Sequence, residues 1–144
     1  MILYLDTSAL VKKYVLEPGS GKVIDLWRET EGIAVSKVGY AEVMAAFHRK
    51  KREGGLTGRL FSRTARSFKN DWKSFIRVDV SPELEKLIDR LVSKYPLRGF
   101  DAIHLASAIA VKRAMKVNLV FVAGDERLLN AAQKERLPVR NVSE

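Results

Sequence analysis

The chain has 144 residues, of which 47% are apolar and 30% charged, with no cysteine and a formal net charge of +9. That length and apolar content suit one globular domain, residues 1–144, and exclude a disordered chain. The lack of cysteine excludes a disulfide framework and a cysteine-held zinc, and no run approaches the ~18 apolar residues of a membrane span.

In chain order, Ile2-Leu3-Tyr4-Leu5 reads as a buried strand ending at Asp6. It is too short for a secretory leader and lacks a basic flank, so a cytoplasmic location is expected. Helices are predicted over Ser8–Leu16 and Ser20–Glu31, separated by Glu17-Pro18-Gly19, with a short strand at Ile33–Val35. Two longer helices follow, Val38–Arg52 and Thr57–Lys73, then a strand at Phe75–Val78. Ser81-Pro82 is a strong helix start, and apolar residues at helical spacing continue to Tyr95 before Pro96 ends the run. A mostly apolar helix over Phe100–Met115, a strand at Asn118–Val122, a helix at Glu126–Glu135 and a strand at Val139–Asn141 complete the chain. Strands alternating with helices imply parallel pairing, so the expected fold is α/β: a three-layer α/β/α domain with a mainly parallel central sheet.

Four acids interrupt or end apolar runs. Asp6 follows the first strand, Glu42 is the only charge between Val38 and Phe47, Asp101 is the only acid between Gly99 and Val111, and Asp125 follows Leu119–Gly124. An unpaired buried carboxylate costs several kcal/mol. Singly, each has a bland role: Asp6 and Asp125 suit helix N-caps, Asp101 suits the first turn of its helix, and Glu42 suits a thin polar stripe. Together they lack basic residues in the same segments to neutralise them. A hard divalent cation, Mg²⁺ or Mn²⁺, is the economical partner, able to activate water beside a phosphodiester.

The segments around these acids carry a resemblance. Asp6-Thr7-Ser8-Ala9-Leu10, the isolated Glu42, Arg98-Gly99-Phe100-Asp101-Ala102-Ile103-His104-Leu105-Ala106 and Phe121-Val122-Ala123-Gly124-Asp125 resemble the signature segments of PIN-domain nucleases. Length and layout are similar to the toxin ribonucleases (VapC-like) of VapBC toxin–antitoxin pairs. The resemblance implies a parallel-sheet fold, Mg²⁺- or Mn²⁺-dependent endoribonuclease activity with 5′-phosphate and 3′-hydroxyl products, inhibition by a small cognate antitoxin, and a homodimer. It implies metal binding through Asp6 and Asp101, with Glu42 and Asp125 completing the pocket. One position departs: Ala123 stands where the pattern often has Thr or Ser. That departure leaves open a catalytically inert PIN-like module that binds RNA or protein.

Lesser signals surround these. Thr7 and Ser8 suit either support of a metal site or helix capping. His104, three residues after Asp101, suits a general base or a packed, hydrogen-bonded helix residue. Between Arg49 and Arg77 stand ten basic residues against two acidic, nearly the whole net charge. Within that stretch Arg59, Arg63, Arg66 and Lys73 share one helical face, opposite Phe61, Ala65, Phe68 and Trp72. A line of cations with few acids suits RNA phosphates.

Overall fold

In the computed structural model, which describes residues 1–144, the apolar runs become five strands: β1 Ile2–Leu5, β2 Gly32–Ser36, β3 Ile76–Val78, β4 Leu119–Ala123 and β5 Val139–Asn141. They form one sheet in the order β3-β2-β1-β4-β5, and every neighbouring pair is parallel. Parallel neighbours cannot be joined by a tight turn, so each connection crosses over through helices. These are α1 Thr7–Tyr14, α2 Ser20–Glu29, α3 Val38–Arg52, α4 Gly58–Trp72, α5 Pro82–Lys94, α6 Gly99–Met115 and α7 Glu126–Lys134. The α/β/α architecture read from the sequence is present, with a wholly parallel sheet. No helix is long and apolar enough to cross a membrane.

Side-chain alternation along each strand decides which helices cover which face. Leu3, Leu5, Ile33 and Val35 pack with Leu10, Val23, Val43, Phe47 and Phe68 of α1–α4. Ile2, Tyr4, Ala34, Phe121 and Ala123 turn to the other face, against Leu84, Leu91, Leu105, Ile109 and Leu128 of α5–α7. With both faces covered, β1 and β4 have no solvent side, which is why they read as continuous apolar runs. Tyr14, Phe47 and Phe68 meet edge to face at 5.5–6.1 Å and fasten α1, α3 and α4 to one another. Burying each such ring contributes about 1.5–3 kcal/mol.

Element ends follow local chemistry. Thr57 and Ser81 cap α4 and α5 by accepting from the Leu60 and Leu84 amides, and Pro82 sits at the start of α5. The helix α1 stops at Tyr14, two residues before the predicted end, with Val15 extended and its amide donating to the Val11 carbonyl. Leu16 is left 92% exposed. Gly19 has φ +93°, and a Cβ there would stand 1.8 Å from the Val142 carbonyl oxygen. Only glycine fits that close approach between the α1–α2 turn and the chain end. Lys73 lies just beyond α4 as its C-cap rather than within it.

The strand order creates the place for a site. The chain leaves β1 toward β2 on one side and leaves β4 toward β5 on the other. At the carboxyl ends of the adjacent β1 and β4 the connections therefore diverge, and a crevice opens between them.

Candidate active site

Asp6 is the first residue past β1. Its amide donates to the Val122 carbonyl at 3.2 Å, which prolongs the β1–β4 pairing and holds the residue at the crevice. Its carboxylate caps α1, accepting from the Ala9 amide at 2.9 Å and from Ser8 Oγ at 2.9 and 3.1 Å. Asp125, just past β4, caps α7 by accepting from the Leu128 amide at 3.1 Å. The capping roles weighed for both residues are thus real. They occupy part of each carboxylate and leave the remaining lone pairs available to the crevice.

Glu42 reaches the same place from α3. Its Oε1 accepts from Thr7 Oγ1 at 2.6 Å and lies 2.9 Å from His104 Nε2. Asp101, in the first turn of α6, accepts from Arg98 Nε at 3.3 Å, and the same guanidinium stands 3.7 Å from Asp125 Oδ2. All four carboxylates, with Thr7, Ser8 and His104, line one cleft of about 570 Å³. The same cleft is lined by Glu17, Arg49 and Lys50, and Glu17 is paired with Lys12 at 3.3 Å and with Lys50 at 3.0 Å.

The electrostatics differ from one acid to the next. Burial pushes the Asp6 carboxyl above its usual range; the positive field of His104 and the bonds from Ala9 and Ser8 only partly offset this, and Asp101 adds repulsion. Burial also pushes Glu42 up, but bonds from His104 and Thr7 and the field of His104 outweigh it and hold that carboxyl below its usual range. Asp6 is 6% exposed and has no Lys or Arg ion pair.

The donors are hard oxygens, the kind that Mg²⁺ and Mn²⁺ take. No three Asp, Glu or His side chains stand close enough to form a ready coordination set. Carboxylates spaced in this way suit only an ion that takes one or two of them and keeps most of its waters, which is the habit of Mg²⁺.

The structure also places side chains that the sequence reading did not single out. Arg49 and Lys50 line the cleft, and Arg98 spans Asp101 and Asp125 at its mouth. Helical spacing held the signal: Arg49 is two turns after Glu42, and Arg98 three residues before Asp101. By contrast, Arg59, Arg63, Arg66 and Lys73 are exposed but do not line the cleft. Ala123 is fully buried, its methyl packed in the α5–α7 core rather than lining the cleft.

Comparison with known proteins identifies the family and bears out the fold. Ribonuclease VapC45 of Mycobacterium tuberculosis (strain CDC 1551 / Oshkosh) is 33% identical over 131 residues, 91% of this chain and 89% of the relative. Among solved structures, FitAcB from Neisseria gonorrhoeae superposes with a TM-score of 0.71 at 17% identity, covering 100% of this chain and 99% of that one. VapBC2 from Rickettsia felis, bound to a DNA fragment from its promoter, matches with a TM-score of 0.66 at 16% identity and 98% coverage of both chains. The family model for the PIN domain matches residues 3–134. With that match spanning nearly every strand and helix around the acidic cleft, the chain belongs to the PIN domain family.

Proposed function

We propose that the protein is a divalent-metal-dependent endoribonuclease and the toxin of a toxin–antitoxin pair. The observation that carries the reading is convergence. Four carboxylates from four separate segments meet in one crevice, and the most buried of them, Asp6, has no Lys or Arg partner. A fold keeps such a cluster at a cost, and a cation that neutralises it explains why it is kept. The name ribonuclease carried by VapC45 points to RNA as the substrate.

Asp6 and Asp101 would hold Mg²⁺ or Mn²⁺, with Glu42 and Asp125 completing the pocket. When bound, the ion supplies a Lewis acid that neutralises phosphodiester charge and acidifies a water. The chain's own residues do the positioning. Ser8 holds the Asp6 carboxylate, and Thr7 holds that of Glu42. Arg49, a cleft cation without an ion pair, binds a backbone phosphate next to the acidic end. The exposed stripe of Arg59, Arg63, Arg66 and Lys73 steers and anchors RNA outside the cleft. Hydrolysis adds water across the P–O3′ bond, leaving a 5′-phosphate and a 3′-hydroxyl, the outcome that the family resemblance implies.

A small antitoxin, a homodimeric state and a cytoplasmic location belong to the same proposal. Apolar residues exposed on the α1–α4 side, Leu16, Tyr40 and Leu60, offer a partner helix its footing, and Leu16 adjoins the cleft residue Glu17. The inert-module alternative rested on Ala123, which packs in the core away from the cleft.

The test is turnover of RNA by the purified protein with Mg²⁺ or Mn²⁺, with chelator, and with Asp6→Asn and Asp101→Asn. Metal-dependent cutting lost in both variants supports the proposal. RNA bound but never cut, at any metal concentration, would favour the inert module.

A further inference from the structure

His104 is 3% exposed, yet both of its ring nitrogens are engaged. Nδ1 lies 2.9 Å from Tyr4 Oη, and Nε2 lies 2.9 Å from Glu42 Oε1. Tyr4 is fully buried and has little freedom. Its ring stacks on Phe121, with centroids 5.5 Å apart and planes 4° apart, and meets the imidazole edge-on at 5.9 Å.

The direction of these bonds follows from what each atom can do. A carboxylate only accepts, so the proton between Nε2 and Glu42 belongs to Nε2. In its neutral form the imidazole then has a bare Nδ1, which accepts the Tyr4 hydroxyl proton. No buried side-chain polar atom in the protein is left without a partner, as the cost of about 1–3 kcal/mol for an unpaired group leads one to expect.

The consequence falls on Glu42. Its Oε1 receives two donors, Nε2–H and Thr7 Oγ1–H at 2.6 Å, while its Oε2 has no protein partner. The donors come from different layers, Thr7 from α1 and His104 from α6 on the opposite face of the sheet. His104 also sits one turn after Asp101 on the same helix, so it ties the Glu42 carboxylate to the helix that carries Asp101.

We propose that His104 is a positioning residue which, oriented by Tyr4, donates Nε2–H to Glu42 Oε1 and so presents Oε2 toward Asp101 and the bound cation. The inference rests on the nuclease reading above for its purpose but not for its geometry. His104 acts through Glu42 and takes no proton from the substrate.

Two measurements test it. The chain has two histidines, so a long-range ¹H–¹⁵N spectrum of the rings, assigned with His48→Asn, reads the His104 tautomer directly. At about pH 8 the expected form is protonated Nε2 with bare Nδ1, in the wild type and in Tyr4→Phe alike, because the Glu42 carboxylate fixes the proton on Nε2. A ring protonated on Nδ1 with bare Nε2 overturns the proposal. The second measurement is Mn²⁺ affinity by calorimetry in two polar variants. His104→Gln keeps an amide N–H where Nε2 was, and His104→Asn keeps one only where Nδ1 was. Loss of such a supporting partner costs roughly 10–100-fold, so Asn should weaken Mn²⁺ binding by that factor and Gln by no more than about threefold. In a Glu42→Gln background the Asn substitution should add nothing. Equal losses for Gln and Asn, or an undiminished Asn effect without the Glu42 carboxylate, overturn the proposal. RNA cutting measured alongside keeps the two ideas apart. A wild type that binds Mn²⁺ but cuts nothing removes the nuclease reading, while the tautomer and the Mn²⁺ affinities still decide the role of His104.

Discussion

Replacing Asp6 by asparagine separates a functional carboxylate from a structural one. Asparagine caps a helix as well as aspartate does, and its Oδ1 can still accept from Ala9 and Ser8, so the capping loss is close to zero. What changes is the charge, on a group 6% exposed whose neighbours include Asp101. A buried ion without an opposite charge carries an effective desolvation penalty of several kcal/mol that a neutral amide avoids. Since Ser8 and Ala9 already offset most of that penalty with hydrogen bonds, the gain for Asp6→Asn is small, about 1 kcal/mol. In a domain of this size that raises Tm by roughly 2–4 °C. The metal reverses the order. At ~100 times its Kd, Mn²⁺ stabilises the wild type by about 2.7 kcal/mol, or roughly 5–10 °C. The variant, lacking a charged ligand, should melt nearly unchanged in Mn²⁺ and should not cut RNA. Paired melting curves with and without Mn²⁺ read both effects. A variant that melts well below the metal-free wild type makes Asp6 a structural cap. Equal Mn²⁺ stabilisation of the two proteins takes Asp6 out of the cation site.

Arg49→Ala should weaken RNA binding and also slow single-turnover cutting, because Arg49 lines the cleft; Arg59→Ala with Arg63→Ala should act on affinity and flatten its salt dependence while leaving the saturated rate nearly intact. Unchanged affinity and salt slope in the double variant would mark the stripe as an ordinary solvated face. Glu135 bonds Arg90 at 2.7 Å and Tyr95 at 2.5 Å, and these contacts, the Arg90 bond foremost, hold its carboxyl down to about 2. Because the folded value lies below the unfolded one, its contribution is present above about pH 4.3 and is lost as pH falls toward 2. Glu135→Gln should therefore cost about 1–2 kcal/mol at neutral pH, allowing for screening at half-exposed Arg90, and almost nothing near pH 2; a penalty independent of pH in denaturant melts would contradict this. Phe68→Ala, at a fully buried ring shared by α1, α3 and α4, should cost about 3–5 kcal/mol by the same melts, and a loss under 1 kcal/mol would mean that this face is loosely packed.

The layout of elements and the identity of the four acids were legible in the sequence by itself. Periods of two and 3.6 are local properties, and a strand buried on both faces announces itself as an apolar run wherever its partners lie. The acids stand out in the sequence as charges inside or at the ends of apolar runs; that they lack cations holds only for Asp6 with respect to Lys and Arg, since folding gives Asp101 and Asp125 the Arg98 guanidinium and Glu42 the His104 ring. Element ends are less legible, as at Tyr14, where α1 stops with an extended Val15 although the sequence pattern runs on to Leu16. What only the tertiary structure decided is which side chains meet. The order β3-β2-β1-β4-β5, and hence the crevice between β1 and β4, depends on pairings between distant segments. Glu42 and His104 are 62 positions apart, Tyr4 and His104 100. The sequence allowed His104 to be either a base or a packed residue, and Arg49 to be one more charge in a basic stretch. Folding gave one histidine both its partners and put one arginine in the cleft, because contact across layers is set by chain crossing and packing rather than by any local period.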